Sequence, residues 1–348
     1  MIDLTTSKTT VEATLQRFLN EKQQGATVIH SSYRQLLDEI HRVVFSGGKR
    51  LRPHLVFLGY GAYDDTVSMI AAAHELLHTA LLAHDDIIDR DLVRHGQPTI
   101  HAAYDKAYTD DLTNPLERAH FSESAALLAG DLLISFAYEL IARAELPAKT
   151  HAAVTTIMAE GMFEVIGGEL MDTEAAFVDN PADPLTIYRY KTASYSIIAP
   201  LLSGAVMSPI GYDQSSLNAL RNFATKAGVA YQIQDDILGV FGRSGETGKS
   251  TVGDLREGKR TLLIEHFTKA ASADQMALFS RTFGNTLASD DEFDLLKDAL
   301  RDSGALASTK AAVTDYTQAA LSTLQSVPDR ELTDNLTGLA DALITRKA

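Results

Sequence analysis

Apolar positions recur along this chain with a helical period almost throughout. From Ile70 to Asp89, positions 74, 78, 81, 85 and 89 advance by 4, 3, 4 and 4, which traces one face of a 3.6-residue helix. The same period over residues 33–45, 122–144, 150–171, 215–241 and 306–325 predicts helices there. No stretch alternates with period two between hairpin turns, so no strand is expected. Breakers fall at Gly47-Gly48, Gly96 to Pro98, Asn114-Pro115, Asn180 to Pro184, Pro209 to Gly211 and Gly242 to Gly253. There is no internal repeat, low-complexity tract or evident linker. The pattern therefore predicts one all-α domain over residues 13–348, with residues 1–12 loose.

Composition narrows the class. The 348 residues are 45 % hydrophobic and 22 % charged, as in an ordinary globular protein, and one large helical core can reach that size. Cysteine is absent, which excludes disulfides and thiolate metal sites. No apolar run is read as reaching the roughly 18–20 residues that span a bilayer. The N-terminal MIDLTTSKTT lacks a signal-peptide core. The expectation is a cytoplasmic protein with no transmembrane segment. A formal net charge of −15 argues against nucleic acid and anionic membrane as main partners. It also makes two cationic clusters stand out, GGKRLRP at 47–53 and GKSTVGDLREGKR at 248–260.

The acidic residues are placed against expectation. LAHDDIIDRD, residues 82–91, ends an apolar helical run with Asp85, Asp86, Asp89 and Asp91. Asp85 and Asp89 are i and i+4, so their carboxylates project together and repel unless a cation bridges them. Oxygen-only donors suit Mg²⁺, which takes one or two carboxylates and completes its shell with phosphate and water. A second pair, Asp235 and Asp236, ends the apolar run of AYQIQDDILGVFG at 230–242, with Gln232 one turn earlier. Two such helix ends are expected to face one cavity.

The basic loops supply anion ligands. Two glycines before Lys49, Arg50 and Arg52 let the backbone approach an anion while the cations form charge-assisted bonds. The loop from 242 to 260 offers Lys249 and Lys259, with Asp254 between them. GRSGETGKS comes close to a phosphate-binding P-loop, but Gly242 to Gly248 is one residue too long and the preceding segment is helical, which excludes it. The economical combination is one diphosphate held through Mg²⁺ opposite a second held by direct cations.

At this point the chain resembles the trans-isoprenyl diphosphate synthases, or polyprenyl synthetases, and is geranylgeranyl-diphosphate-synthase-like. The resemblance covers about residues 30–265 and rests on an ordered series: GGKRLRP, HTALLAHDDIIDRDLVRHGQPT, LLAGD, YKTASYS, YQIQDDILGVFG and TGKSTVGDLREGKRT. It implies an isoprenoid synthase fold, a helical bundle around a deep central cavity. It further implies condensation of an allylic diphosphate (dimethylallyl, geranyl or farnesyl) with isopentenyl diphosphate, two to three Mg²⁺ ions and a homodimer. Residue by residue, Asp85 and Asp89 would hold Mg²⁺ on the allylic diphosphate with Asp86 in support, and Asp235 would hold a further ion. Arg94, Lys191 and Lys249 would contact the allylic diphosphate, and Lys259 would close the loop over it. Lys49, Arg52 and His78 would bind isopentenyl diphosphate. Thr192 and Gln232 would lie beside the reacting carbons.

Two positions depart from the family. An Arg-Arg pair reads Arg94-His95 here, so His95 stands at an isopentenyl diphosphate ligand and is fully charged only near or below its ordinary pKa of about 6.5. The second motif has Gly239 where many members carry a third Asp, which should weaken the third metal. Product length is read from the helix before Asp85. Members stopping at fifteen carbons tend to carry aromatics four or five residues earlier, where Leu81 and Ala80 stand here. Leu77 and His74 follow one and two turns below. At about 5.4 Å per turn, close to one isoprene unit, the floor admits about one or two units beyond fifteen carbons. The expected product is about C20, geranylgeranyl diphosphate, with C25 or a longer polyprenyl chain as alternatives. A class I terpene cyclase shares the first motif but would lack GGKR and Lys191-Thr192. A non-catalytic subunit of a heteromeric synthase would have lost aspartates that this chain keeps.

Overall fold

The computed structural model describes residues 2–178, 180–242 and 252–345. The long predicted helices are all present, and the largest displacement is in the segment expected over 122–144, whose helix begins at Pro115. The chain divides into two compact units, residues 1–157 with 203–211 and residues 158–202 with 212–348.

The first unit contains α1 (Leu4–Ile29), α2 (Ser31–Val44), α3 (Leu51–Tyr60), α4 (Asp65–Ile88), a two-stranded hairpin β1 (Val93–Arg94) and β2 (Gln97–Pro98), α5 (Ile100–Ala107) and α6 (Pro115–Arg143). The N-terminus is not loose. Asp3 caps α1 by accepting from Thr6 N–H at 2.9 Å. Ser7 Oγ lies 2.9 Å from His54 Nδ1, and the Tyr63 hydroxyl donates to Asp3 O at 3.0 Å. The inward face of α1 reads Ser7, Val11, Thr14, Leu15, Phe18 and Leu19. Small hydroxyl residues at two of those positions hide the period from a hydropathy reading.

Helix α4 is capped by Asp64, which accepts from Val67 N–H at 2.8 Å, and is buried along most of its length. Asp89 N–H closes its last turn onto Asp85 O at 2.8 Å. Arg90 and His95 adopt the left-handed region, at φ 59° and 52°. His95 and Gly96 (φ 72°) are the central pair of the hairpin turn, with Val93 opposite Pro98 and Arg94 opposite Gln97. Two positive φ values are what a two-residue type I′ turn requires. Strands of two residues are too short to show alternation, so this hairpin was not expected. Contrary to the sequence reading, α4 and α6 are each long and apolar enough to cross a membrane, with window hydropathies of 1.3 and 1.7. Those windows are 72 % and 50 % buried inside the fold, as in core helices.

Helix α7 (Ala148–Glu174) continues into the second unit. There follow α8 (Pro184–Ile187), a π-helical stretch over Tyr188–Ile198, α9 (Ala199–Met207) and α10 (Gln214–Phe241). Then come α11 (Gly253–Glu257), α12 (Leu262–Ala270), α13 (Ala273–Thr282), α14 (Asp290–Asp302), α15 (Ala305–Thr323) and α16 (Arg330–Thr345). Two glycines let the π-helical stretch pack closely. A Cβ on Gly168 would fall 2.1 Å from Lys191 N, and one on Gly228 would fall 2.4 Å from Ala193 Cβ. The C-terminal core gathers Phe267, Phe293, Leu296 and Leu300, all fully buried.

Candidate active site

In the first unit the site is built on the last turn of α4. Asp85 and Asp86 leave that turn and Asp89 caps it. Arg94 reaches back from β1 and donates to Asp86 Oδ1 at 2.5 Å, Asp85 Oδ2 at 3.0 Å and Asp91 Oδ2 at 3.4 Å. Asp91, to which the sequence assigned no role, thus belongs to the cluster. Burial pushes the Asp86 carboxyl up to about 6, with the Arg94 contact pulling the other way. Ahead of these acids, His84 Nε2 contacts Leu127 O at 3.2 Å, and its ring occupies the space a side chain on Gly130 would fill. The glycine of LLAGD therefore seats the last turn of α4 against α6.

The donor set suits magnesium. Asp85 and Asp89 offer hard oxygens from one helical turn. Among the described residues, no three His, Cys, Asp or Glu side chains form a group that could hold a metal. An ion that takes part of its shell from a substrate phosphate and water fits such a site.

One cleft in this unit is lined by Arg42, Gly47, Gly48, His78, Arg94 and His95, among others. It gathers two of the residues expected to bind isopentenyl diphosphate, His78 and His95. Lys49 is exposed, and neither it nor Arg52 belongs to that lining. Burial, with Arg52 and Arg94 nearby, holds His78 well below the usual histidine range. It faces the cleft as a neutral ring, a hydrogen-bond partner and not a cation. Arg50 is turned away from solvent. At φ 53° and 5 % exposure it donates to Glu75 at 2.7 Å, to Glu12 at 3.1 Å and to Val44 O at 2.6 Å. It ties α1, α2 and α4 together, so the cations of GGKRLRP divide between structure and site. Below Asp85 on α4, Ala80, Leu77 and His74 are buried and Leu81 is half-buried. His74 Nε2 meets Ser203 Oγ at 3.0 Å, and burial lowers its pKa to about 3.

In the second unit, Lys191 and Thr192 sit on the π-helical stretch, a distortion often found at functional positions. Lys191 Nζ lies between Glu169 (2.9 Å) and Asp172 (2.6 Å) of α7. Thr192 Oγ1 donates to Gln232 Oε1 at 2.7 Å, and Gln232 Nε2 donates to Asp236 Oδ1 at 2.8 Å. Tyr188 donates to Asp236 Oδ2 and accepts from Leu262 N–H at 2.8 Å. Burial pushes the Asp236 carboxyl up to about 7, against the downward pull of those two bonds. Asp236 was read from sequence only as the neighbour of Asp235, and Tyr188 was not singled out; a Tyr three residues before Lys191 carries no motif signal of its own.

Asp235 is half-buried on α10, beside these groups. At Gly239, where a third aspartate is common in the family, a Cβ would lie 2.2 Å from Asp254 Oδ2. The carboxylate of α11 fills the room that a side chain at 239 would need. An aspartate could not enter there without expelling Asp254. Lys259 Nζ is 3.8 Å from Asp254 and 3.4 Å from Glu257. Lys249 lies outside the described residues.

An all-α fold whose first unit carries an acid-tipped helix with an arginine, and whose second carries aspartates with a lysine and a threonine–glutamine pair, has the groups of an enzyme of diphosphate chemistry. The polyprenyl synthetase family model matches residues 34–300. The chain is 33 % identical over 262 residues to the short chain isoprenyl diphosphate synthase of Methanocaldococcus jannaschii, covering 74 % of each chain. It is 32 % identical over 271 residues to the geranylgeranyl diphosphate synthase of Sulfolobus acidocaldarius, again covering 74 % of each. Among solved structures, it is similar to the geranylgeranyl pyrophosphate synthase of Corynebacterium glutamicum complexed with isoprenyl diphosphate and magnesium. That similarity has a TM-score of 0.92 at 28 % identity, over 99 % of this chain and 100 % of the other. The chain belongs to the polyprenyl synthetase family and is a prenyltransferase.

Proposed function

We propose that this prenyltransferase condenses an allylic diphosphate with isopentenyl diphosphate and stops at about twenty carbons, making geranylgeranyl diphosphate. The C1–O bond of the allylic substrate breaks and the diphosphate leaves with the electron pair. The double bond of isopentenyl diphosphate attacks C1, and loss of a proton restores the alkene. Lys191 and Arg94 bind and orient the departing diphosphate. Thr192 and Gln232 turn dipoles toward the growing positive charge. Asp85, Asp89 and Asp235 would hold Mg²⁺, which when bound supplies Lewis-acid stabilisation of the leaving charge. His78, His95, Lys49 and Arg52 bind the second diphosphate. Two bound substrates in register replace a bimolecular encounter.

The observation that carries the length is the ladder on α4. Ala80 and Leu81 place no ring next to the acids, while the buried Leu77 and His74 close the column one and two turns below. Mass analysis of products from dimethylallyl, geranyl and farnesyl starters tests this. Wild type should give C20 from each. Ala80→Phe should shift the product toward C15, and an unchanged chain-length distribution would remove the ladder as the ruler.

The enzyme is further proposed to act as a homodimer. On α7, Phe163, Ile166 and Leu170 form a helical stripe at 83 %, 56 % and 69 % exposure. An apolar stripe of that kind supports coverage by a second copy.

A further inference from the structure

Two buried groups of the second unit, the Tyr188 phenol and the Asp236 carboxylate, have no part in the reaction as described above. They belong to one unbroken chain of hydrogen bonds whose sense is set by the acceptor-only carboxylate in its middle. A backbone N–H can only donate, so Leu262 N–H gives its hydrogen to the Tyr188 oxygen at 2.8 Å. Tyr188 then directs its own hydrogen to Asp236 Oδ2. The other carboxylate oxygen accepts from Gln232 Nε2 at 2.8 Å. An amide whose NH₂ faces a carboxylate turns its carbonyl the other way, and there it accepts from Thr192 Oγ1 at 2.7 Å. The hydroxyl hydrogen of Thr192 is thereby committed inward, and lone pairs are what its oxygen has left.

We propose that Asp236, seated by its bond from Tyr188, is a positioning residue that fixes the hydrogen-bond polarity of Thr192 and Gln232, so that the pair offers acceptor oxygens to an allylic carbon as its positive charge grows. This rests on the condensation reading given above. A threonine hydroxyl without such a partner rotates freely and turns its positive end toward the cation part of the time. One held by the amide is already oriented before ionisation, and a preorganised dipole needs no reorganisation during the reaction. The carboxylate is the sink for both arms of the chain, which is why a buried acid is tolerated there.

The polarity can be reversed and then restored with near-isosteric changes. In Asp236→Asn the new amide keeps its oxygen toward Tyr188, which still has a hydrogen to donate, and turns its NH₂ to Gln232. Gln232 must flip, its own NH₂ meets Thr192, and the threonine hydrogen swings outward. Adding Gln232→Glu puts two acceptor oxygens back at position 232 and returns the hydroxyl to its inward bond. For Asp236→Asn we expect kcat to fall about 100-fold, the range seen on removing one preorganised donor or acceptor, with KM for both diphosphates moving less than about threefold. The double variant should recover at least about tenfold in kcat, on the same scale. Tyr188→Phe, which leaves the carboxylate in place but held by Gln232 alone, should lower kcat less than Asp236→Asn and spare KM.

Thermal melting of each variant checks folding. If Asp236→Asn does not fold, Tyr188→Phe and the double variant carry the test by themselves. A kcat like that of wild type in Asp236→Asn, a double variant no better than the single one, or a loss lying wholly in KM would overturn the inference. A wild-type chain that makes no prenyl diphosphate from the two substrates would instead overturn the reaction.

Discussion

His74 shows how burial decides the chemistry of a single side chain in this protein. Its ring is 1 % exposed, bonded to Ser203, and its pKa falls from 6.5 to about 3. Between those values the unfolded chain binds a proton that the folded chain refuses, so this residue makes stability rise with pH across that window. At pH 5 the penalty is about 2 kcal/mol, taking about 1.4 kcal/mol per unit below 6.5. His74→Gln keeps a donor toward Ser203 without the titration. Urea unfolding from pH 8 to pH 5 should therefore show a shallower loss of stability in the variant, and parallel curves would refute the assignment. The acids and cations of the site were legible as residue types, since carboxylates at the end of an apolar helix have few other reasons to be there. Their division of labour was not. Arg50 and Arg52 are indistinguishable in the string GGKRLRP, and only the left-handed backbone at Arg50 sends it inward to Glu75.

Among the elements, the π-helical stretch is where tertiary packing overrides local preference. It holds Lys191 and Thr192, and Gly168 brings α7 against its backbone. A Cβ there would sit 2.1 Å from Lys191 N, a contact with main chain that cannot yield cheaply. Its neighbour Gly167 has nothing within 4 Å of the same position. Gly168→Ala should cost about 3 kcal/mol by overpacking, whereas Gly167→Ala should gain about 0.5–1 kcal/mol from helix propensity. Opposite signs at adjacent glycines are the expected result of paired denaturant titrations, and like signs would contradict the packing. Such a stretch leaves no mark on hydropathy. The long helices do, and the period over 33–45, 215–241 and 306–325 answers to Ser31–Val44, Gln214–Phe241 and Ala305–Thr323. Helix α1 escaped because Ser7 and Thr14 occupy two of its inward positions.

For the molecule as a whole, the division into two units was not legible because two of its three boundaries fall inside helices, and the third coincides with a breaker like the others, Pro209 to Gly211. Residue 157 lies within α7 and residue 202 within α9, where no change in composition marks a border. The homodimer proposed from the stripe on α7 belongs to this scale. If a second copy covers Phe163, Ile166 and Leu170, one carboxylate there should be enough to oppose association. Phe163→Glu should elute as a monomer in light-scattering chromatography at micromolar concentration while wild type elutes as a dimer. A wild-type monomer would rule out the homodimer. With a formal charge of −15, the chain has self-repulsion to overcome on pairing, so the dimer should tighten as salt is added.

Arg94 carries a consequence for the order in which ligands take hold. Its guanidinium is paired with Asp85, Asp86 and Asp91. A metal ion arriving alone competes with that resident partner for the same oxygens, and an anion arriving alone must draw the arginine away from acids left uncompensated. If Asp85 and Asp89 hold the ion as proposed, the carboxylates would turn to it and the freed arginine would be left to bind the anion. Each ligand would then remove the cost the other faces, so their affinities would be linked, and by thermodynamic reciprocity each would raise the other's by the same factor. A single side chain would thereby make the site respond to the proposed ion–diphosphate pair more strongly than to either component.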